Sequence, residues 1–173
     1  MMLELRTPMT TSQIRITDLD NLKSILESAS QDSLAGKSVS YIDIRVAASE
    51  GIGAYTEDGM PKVTSQDWGF SIGVRAISDT PIKAAGYYGR SLGIPDLNNF
   101  ERILRQAIDI ASERAIINAR YKKEFKEAHS DFGEMIRSTD LAPIPTIQET
   151  VKADYTIDPR TVTQKQITDF VIE

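Results

Sequence analysis

The chain contains no cysteine and a single histidine among its 173 residues. Without cysteine the protein can form no disulfide framework, has no thiol nucleophile and cannot build a zinc site on sulfur. His129 alone cannot form a site that needs two imidazoles from one chain, such as the His-Glu-x-x-His zinc helix. We interpret it as a surface residue, with only Asp131 beside it in the sequence.

Long apolar runs are also missing. No stretch approaches the roughly 18 apolar residues of a membrane-spanning helix, and the N-terminal residues lack the apolar core of a signal peptide. We therefore predict a cytoplasmic protein with no membrane partner. The formal net charge of −5 also disfavours a nucleic-acid partner, because surfaces that bind nucleic acids are rich in Lys and Arg.

The hydrophobic pattern predicts two helices. Between residues 17 and 31, apolar residues recur every three or four positions, which indicates a helix with one buried stripe. Thr17 or Asp18 can cap its first turn. A longer stripe over residues 98–125 predicts the second helix, in which Asn98 and Glu101 have capping-box spacing.

Between these helices the hydrophobic period is two, which is typical of strands covered on one face. Asp58-Gly59 predicts a two-residue hairpin turn, because both residues tolerate a positive φ. The connections are too short to join parallel neighbours. Strands are predicted over residues 39–48, 52–57, 62–66, 70–77 and 82–89.

These elements predict an α+β fold. It is a two-layer sandwich in which a mostly antiparallel meander sheet of four to five strands carries two helices on one face, because each element must bury an apolar side. We assign residues 1–16 to an N-terminal tail, 17–128 to the α+β domain and 129–173 to a linker or extended segment. The last range holds eight acidic against four basic residues, and three prolines.

Two glycine-containing motifs resemble nucleotide-binding loops only in part. Gly36-Lys37-Ser38 ends like a phosphate loop, but Gln31 stands where the first glycine belongs and a helix precedes the loop. Gly51-Ile52-Gly53 begins like a dinucleotide fingerprint, but Thr56 replaces the third glycine and no helix follows, so a bend between strands is predicted. We therefore predict no cofactor, no metal site and no catalytic residue in this chain.

Residues on neighbouring strands form a candidate peptide-binding group. Glycines inside strand patterns often mark a bulge or a close backbone approach, and Gly73 shares a face with Arg75. Basic and aromatic side chains beside bare backbone suit an extended peptide. We predict substrate-binding roles for Arg75, Tyr87, Tyr88 and Arg90. The glycines are also explained by packing alone, and both interpretations stay open here.

The order of five segments carries a family resemblance: Tyr41–Arg45, the hairpin Glu57–Ser65, Asp67–Ile77, Ala84–Tyr88 and the helix segment Leu104–Ala111. This order resembles the N-terminal domain of the TldD/PmbA family, metallopeptidases also known as modulators of DNA gyrase. In that family a Tyr-x-Asp-x-Arg strand, a Gly-Val-Arg strand and an Ala-rich helix follow one another. Tyr155–Val162, followed by a helical pattern from Gln164, is similar to the linker toward the family's catalytic half.

The resemblance implies a non-catalytic domain of a zinc metallopeptidase. Family members carry a His-Glu-x-x-x-His motif downstream of such a domain, and this sequence contains none. We therefore expect part of a longer protein, inactive alone, that shapes the peptide-access cavity and a dimer, with zinc held in the missing C-terminal catalytic domain. The expected partners are that domain, a homo- or heterodimeric subunit and unfolded peptide. The alternative is a stand-alone binding or scaffold module that uses its sheet face.

Overall fold

The computed structural model describes residues 16–36, 38–142, 149, 151, 154, 156–158 and 161–172. The predicted tail, except Ile16, and the three prolines of the predicted linker lie outside these residues. The chain divides into two compact units, the first within Met1–Ala48 and Gly69–Asp140 and the second within Ser49–Trp68 and Leu141–Glu173. None of the helices in the described ranges is both long enough and apolar enough to cross a membrane.

In the described part of the chain, helices precede and follow three consecutive strands of an antiparallel sheet, so the predicted α+β class is confirmed. A 3₁₀ helix, Ile16–Leu22, precedes the first α-helix, and another, Ser130–Met135, follows the longest one. The other elements are α1 (Lys23–Gly36), β1 (Val39–Glu57), β2 (Met60–Ser78), β3 (Ala85–Leu92), α2 (Ile94–Leu97), α3 (Phe100–Ala128) and α4 (Gln164–Ile172).

Within the described residues the sheet has three antiparallel strands in the order β1-β2-β3, so the prediction of four to five strands is wrong. Residues 39–57 form one continuous strand of 19 residues, and residues 60–78 form another. The turn between them is the predicted hairpin, since Asp58 and Gly59 have φ values of 54° and 72°. The last strand lies three residues further along the chain than the predicted range 82–89.

Two predicted strand breaks are absent from the structure. β2 runs through residues 67–69, and β1 runs through Gly51 and Gly53, which were predicted to form a bend. Both residues lie inside β1, in the second unit. A Cβ at Gly53 would lie 2.9 Å from the Ser65 hydroxyl oxygen of β2. This glycine therefore makes room for a side chain of the neighbouring strand and does not end its own.

The core of the first unit is built from the two predicted apolar patterns. Phe70, Ile72, Val74 and Ala76 are buried at every second position of β2. The buried stripe of α3 recurs every three or four residues, and its Phe100 ring lies 5.8 Å, centroid to centroid, from the Phe70 ring. Helix α3 packs against β3. The hydrophobic period of two in β2 and the period of about 3.6 in α3 thus identified the buried faces of both elements correctly.

Helix α1 packs against α3. Its small residues Ala29 and Ser33 are buried one turn apart. Arg105 of α3 donates from Nη1 and Nη2 to Asp32 Oδ2, both at 3.1 Å. The helix ends at Gly36, five residues beyond the predicted boundary, because residues 32 and 33 take part in this packing instead of forming a loop.

In the second unit, helix α4 begins with a capping box. The Thr163 backbone N–H donates to Gln166 Oε1 at 2.8 Å, and the Gln166 N–H donates to Thr163 Oγ1 at 3.3 Å. The Thr56 hydroxyl of β1 donates to the Val171 carbonyl oxygen near the end of α4 at 3.2 Å. The helical pattern predicted from Gln164 is therefore confirmed.

Candidate functional site

The pairing of β2 with β3 places the four predicted site residues on two faces of the sheet. Tyr88 pairs with Val74, whose side chain is buried, and Arg90 lies on that same face. Arg75 pairs with Tyr87 on the opposite face, which we call the open face. Paired residues share a face in an antiparallel sheet. The structure therefore brings Arg75 and Tyr87 together and separates them from Tyr88 and Arg90.

The open face carries a strip of bare backbone beside the Arg75–Tyr87 pair. Gly73 of β2 pairs directly with Gly89 of β3. A Cβ at Gly73 would meet no atom within 4 Å, so the space above it is free. A shallow depression of about 360 Å³ results, lined by Asp43, Arg45, Gly73, Val74, Arg75, Tyr87, Tyr88 and Gly89.

Arg75 lies at the centre of the open face, and its charge is already paired. Its Nε donates to Asp43 Oδ2 at 2.5 Å, and its Nη2 also contacts that oxygen. Its guanidinium carbon lies 5.7 Å from the centroid of the Tyr41 ring. The hydrogen bond to Asp43, followed by one to Tyr87, raises the pKa of Arg75 above its usual value and outweighs the opposing effect of burial. Arg75 therefore remains a cation, but one held by a carboxylate.

Arg45 also lines the depression, although it is not among the four site residues predicted from the sequence. It is exposed and lines the depression, and it forms no ion pair with any other residue that the structure describes. Residues two apart on a strand share a face, so the position of Arg45 two residues after Asp43 in the predicted strand 39–48 could have identified it. A negatively charged ligand group on the open face would thus meet the free charge of Arg45.

Tyr88 and Arg90 make contacts within the fold. The guanidinium of Arg114 in α3 lies 5.5 Å from the centroid of the Tyr88 ring. Arg90 Nη2 donates to Asp96 Oδ2 at 3.2 Å, and the same oxygen accepts the Gly93 backbone N–H at 3.0 Å. These contacts hold β3 to α3 and to the start of α2. A substrate-binding role for either residue stays a prediction.

The depression is lined by charged, aromatic and glycine residues. Asp43 is the only carboxylate among its lining residues, and Arg75 holds it. Across the described ranges, no three His, Cys, Asp or Glu side chains are placed together so as to hold a metal ion. His129 follows α3, and its ring stacks on that of Phe125 with centroids 4.5 Å apart. Among the residues that the structure describes, the open face offers the unpaired cation of Arg45, the aromatic side chain of Tyr87 and bare backbone.

Comparisons of the chain with protein-family models, curated proteins and solved structures find no match. The resemblance to the TldD/PmbA family therefore stays a prediction from the order of the sequence motifs. A function has to be argued from the open face itself.

Proposed function

We propose that this chain is a non-catalytic peptide-binding domain whose open face receives an extended peptide. The observation that carries the proposal is the Gly73–Gly89 strip beside the Arg75–Tyr87 pair. Because no Cβ atoms project from this strip, the backbone of an extended peptide can approach it closely. The exposed Tyr87 side chain provides an apolar wall, and Arg45 provides a charge for an acidic side chain or a terminal carboxylate.

In its finer form, the proposal makes the chain the N-terminal domain of a cytoplasmic TldD/PmbA-like zinc metallopeptidase. Its role is then to shape the cavity through which unfolded peptides reach the active centre, and to take part in a homo- or heterodimer. The activation of water by zinc belongs to a catalytic domain outside this chain. The support is the order of the sequence motifs together with the α+β fold.

A stand-alone binding or scaffold module is the second candidate, and it would use the same face. It is favoured by the first unit's own core, in which Phe70, Leu104 and Ile108 are almost fully buried. The reading frame beyond Glu173 distinguishes the two candidates. A His-Glu-x-x-x-His motif there supports the metallopeptidase, and a stop codon supports the module.

Fluorescence anisotropy with labelled, unstructured peptides tests the binding function. We expect saturable binding that Tyr87→Ala weakens about fivefold, the loss of about 1 kcal/mol of contact energy. Gly73→Val should weaken it as well, by filling the bare strip. Tyr55→Ala is the matched control, because Tyr55 and Tyr87 are both 59% exposed and Tyr55 does not line the depression. Equal effects of the two tyrosine variants, or no binding by the wild type, would contradict the proposal.

Zinc analysis and a peptidase assay on the purified chain test the metallopeptidase form separately. We expect no turnover and no stoichiometric zinc, because the family's His-Glu-x-x-x-His motif is not in this sequence. Peptide hydrolysis or tightly held zinc would contradict the assignment of this chain to a non-catalytic domain.

A further inference from the structure

Side chains of α3 cover the outer edge of β3. In the described part of the chain β3 is an edge strand, and no further strand there pairs with the backbone groups on its outer side. Arg114 Nη1 donates to the Tyr87 carbonyl oxygen at 2.6 Å, and Asn118 Nδ2 donates to the Ala85 carbonyl oxygen at 2.9 Å. Lys122 Nζ donates to the Lys83 carbonyl oxygen, just before the strand, at 3.2 Å. We call Arg114, Asn118 and Lys122 the donor row.

The donor row fits the edge because the spacing of the donors along α3 matches the spacing of the outward carbonyls along β3. Its members are four residues apart on α3, an axial rise of about 6 Å. The carbonyls that accept are two residues apart, a rise of about 6.8 Å in an antiparallel strand. Gly86 allows the close approach, since a Cβ there would lie 2.2 Å from the Ala111 carbonyl oxygen. Three successive donors can therefore reach three successive outward carbonyls.

The two ends of this edge have different partners. At Lys83, residues 138 and 139 bond to the backbone: the Thr139 N–H donates to the Lys83 carbonyl oxygen at 2.9 Å, and the Lys83 N–H donates to Ser138 Oγ at 2.9 Å. At the other end the next position of the row is Ile110, which has no side-chain donor. Gly89, the next outward residue of β3, therefore lies beyond the row.

We propose that the donor row blocks the addition of a further strand to β3 between Lys83 and Tyr87. An open edge is a template for an extended backbone, and in a pure solution the commonest such backbone is β3 of a second copy. A carbonyl oxygen can accept two hydrogen bonds, but the Arg114 and Asn118 side chains lie against the outer side of these carbonyls, so an incoming strand can pair there only if the side chains move aside. The block concerns this edge alone and does not depend on the proposed peptide binding.

Arg114→Leu combined with Asn118→Leu tests the block, because it removes both donors and keeps comparable bulk. Sedimentation equilibrium should show self-association at least about tenfold tighter than in the wild type. Hydrogen exchange of residues 85–87 should slow as the concentration rises. Arg120→Leu with Lys123→Leu is the matched control. Both are exposed α3 residues, paired with Glu124 and Glu127, and their replacement should leave association unchanged.

A folded double variant that associates no more tightly than the wild type would overturn the proposal. Equal association of the control variant would also overturn it, because added hydrophobicity would then be the cause. Circular dichroism establishes folding in each case. If the double variant does not fold, the two single variants are measured in the same way, and folded single variants without tighter association count equally against the block.

Discussion

Gly86 of β3 lies directly against the backbone of Ala111 in α3. A Cβ at position 86 would be 2.2 Å from the Ala111 carbonyl oxygen and 2.3 Å from the Ala115 backbone nitrogen. Both atoms belong to a helix backbone, which cannot move aside as the end of a flexible side chain can. Close packing against α3 is therefore enough to explain why position 86 is a glycine, and no ligand is needed.

Gly86→Ala should therefore destabilise the protein. Overpacking of a close contact costs about 1–3 kcal/mol and sometimes more, because the helix must shift away from the strand. Urea unfolding measures the change in the free energy of unfolding. Gly73→Ala is the control on β2, where an added Cβ meets nothing within 4 Å, and it should change that free energy by less than about 0.5 kcal/mol. Equal losses in both variants would show that the close approach is not the cause.

Two buried serines should respond to Ser→Ala in opposite directions. Ser112 Oγ of α3 is buried with no hydrogen-bond partner among the residues described, so its removal should stabilise the protein by up to about 1 kcal/mol. Ser78 Oγ accepts the buried Ala84 N–H at 3.0 Å and lies 2.9 Å from Thr80 Oγ1. Ser78→Ala leaves that N–H unsatisfied and should cost about 1–3 kcal/mol. Thermal and urea unfolding of both variants measure the difference, and changes of the same sign would be inconsistent with this hydrogen-bonding scheme.

The Asp43–Arg75 pair should stabilise the sheet without making its stability depend on pH near neutrality. The pKa of Arg75 is raised, chiefly by the hydrogen bond to Asp43. A raised folded-state pKa contributes stability that is fully present below the strongly basic unfolded-state pKa of Arg and is lost only as the pH rises through the folded-state pKa. Ionisation of Arg75 therefore adds no pH dependence between about pH 6 and 9, which lies well below both values.

Asp43→Asn removes the negative partner and should lower the free energy of unfolding by about 1 kcal/mol, equally at each pH in that range. Urea unfolding at several pH values provides the measurement. Glu124→Gln is the control, since its ion pair with Arg120 has side chains 60% and 62% exposed and should be worth less than about 0.5 kcal/mol. A loss no larger than that of the control would mean that Asp43 only positions Arg75.

The sequence was sufficient for the features that depend on local periodicity. The stripe of α3 and the alternation of β2 follow from the chain alone, as does the Asp58-Gly59 turn. The strand number was wrong in part because a glycine that bends a chain and one that makes room for a neighbour have the same local signature. Alternation along β3 alone puts Tyr87 on the opposite face from Tyr88 and Arg90, but which of these faces carries Arg75 depends on the pairing register, which is set between strands. The donor row depends on how α3 lies along β3, and no local pattern contains that information.

Arg45 should determine the charge preference of the proposed peptide site. It lines the depression with no ion pair in the described part of the chain, whereas Arg75 is held by Asp43. Arg45→Gln should weaken binding of an acidic peptide about fivefold at low salt and leave a neutral peptide unaffected.

The difference between the acidic and the neutral peptide should shrink at about 0.5 M salt, because exposed charges are screened over a few ångströms at that concentration. Anisotropy titrations at two salt concentrations measure it. Arg102→Gln is the control, an exposed arginine of α3 that does not line the depression. If Arg45→Gln weakens both peptides equally, Arg45 contributes to the shape of the site, and if neither is weakened, the peptide does not reach Arg45.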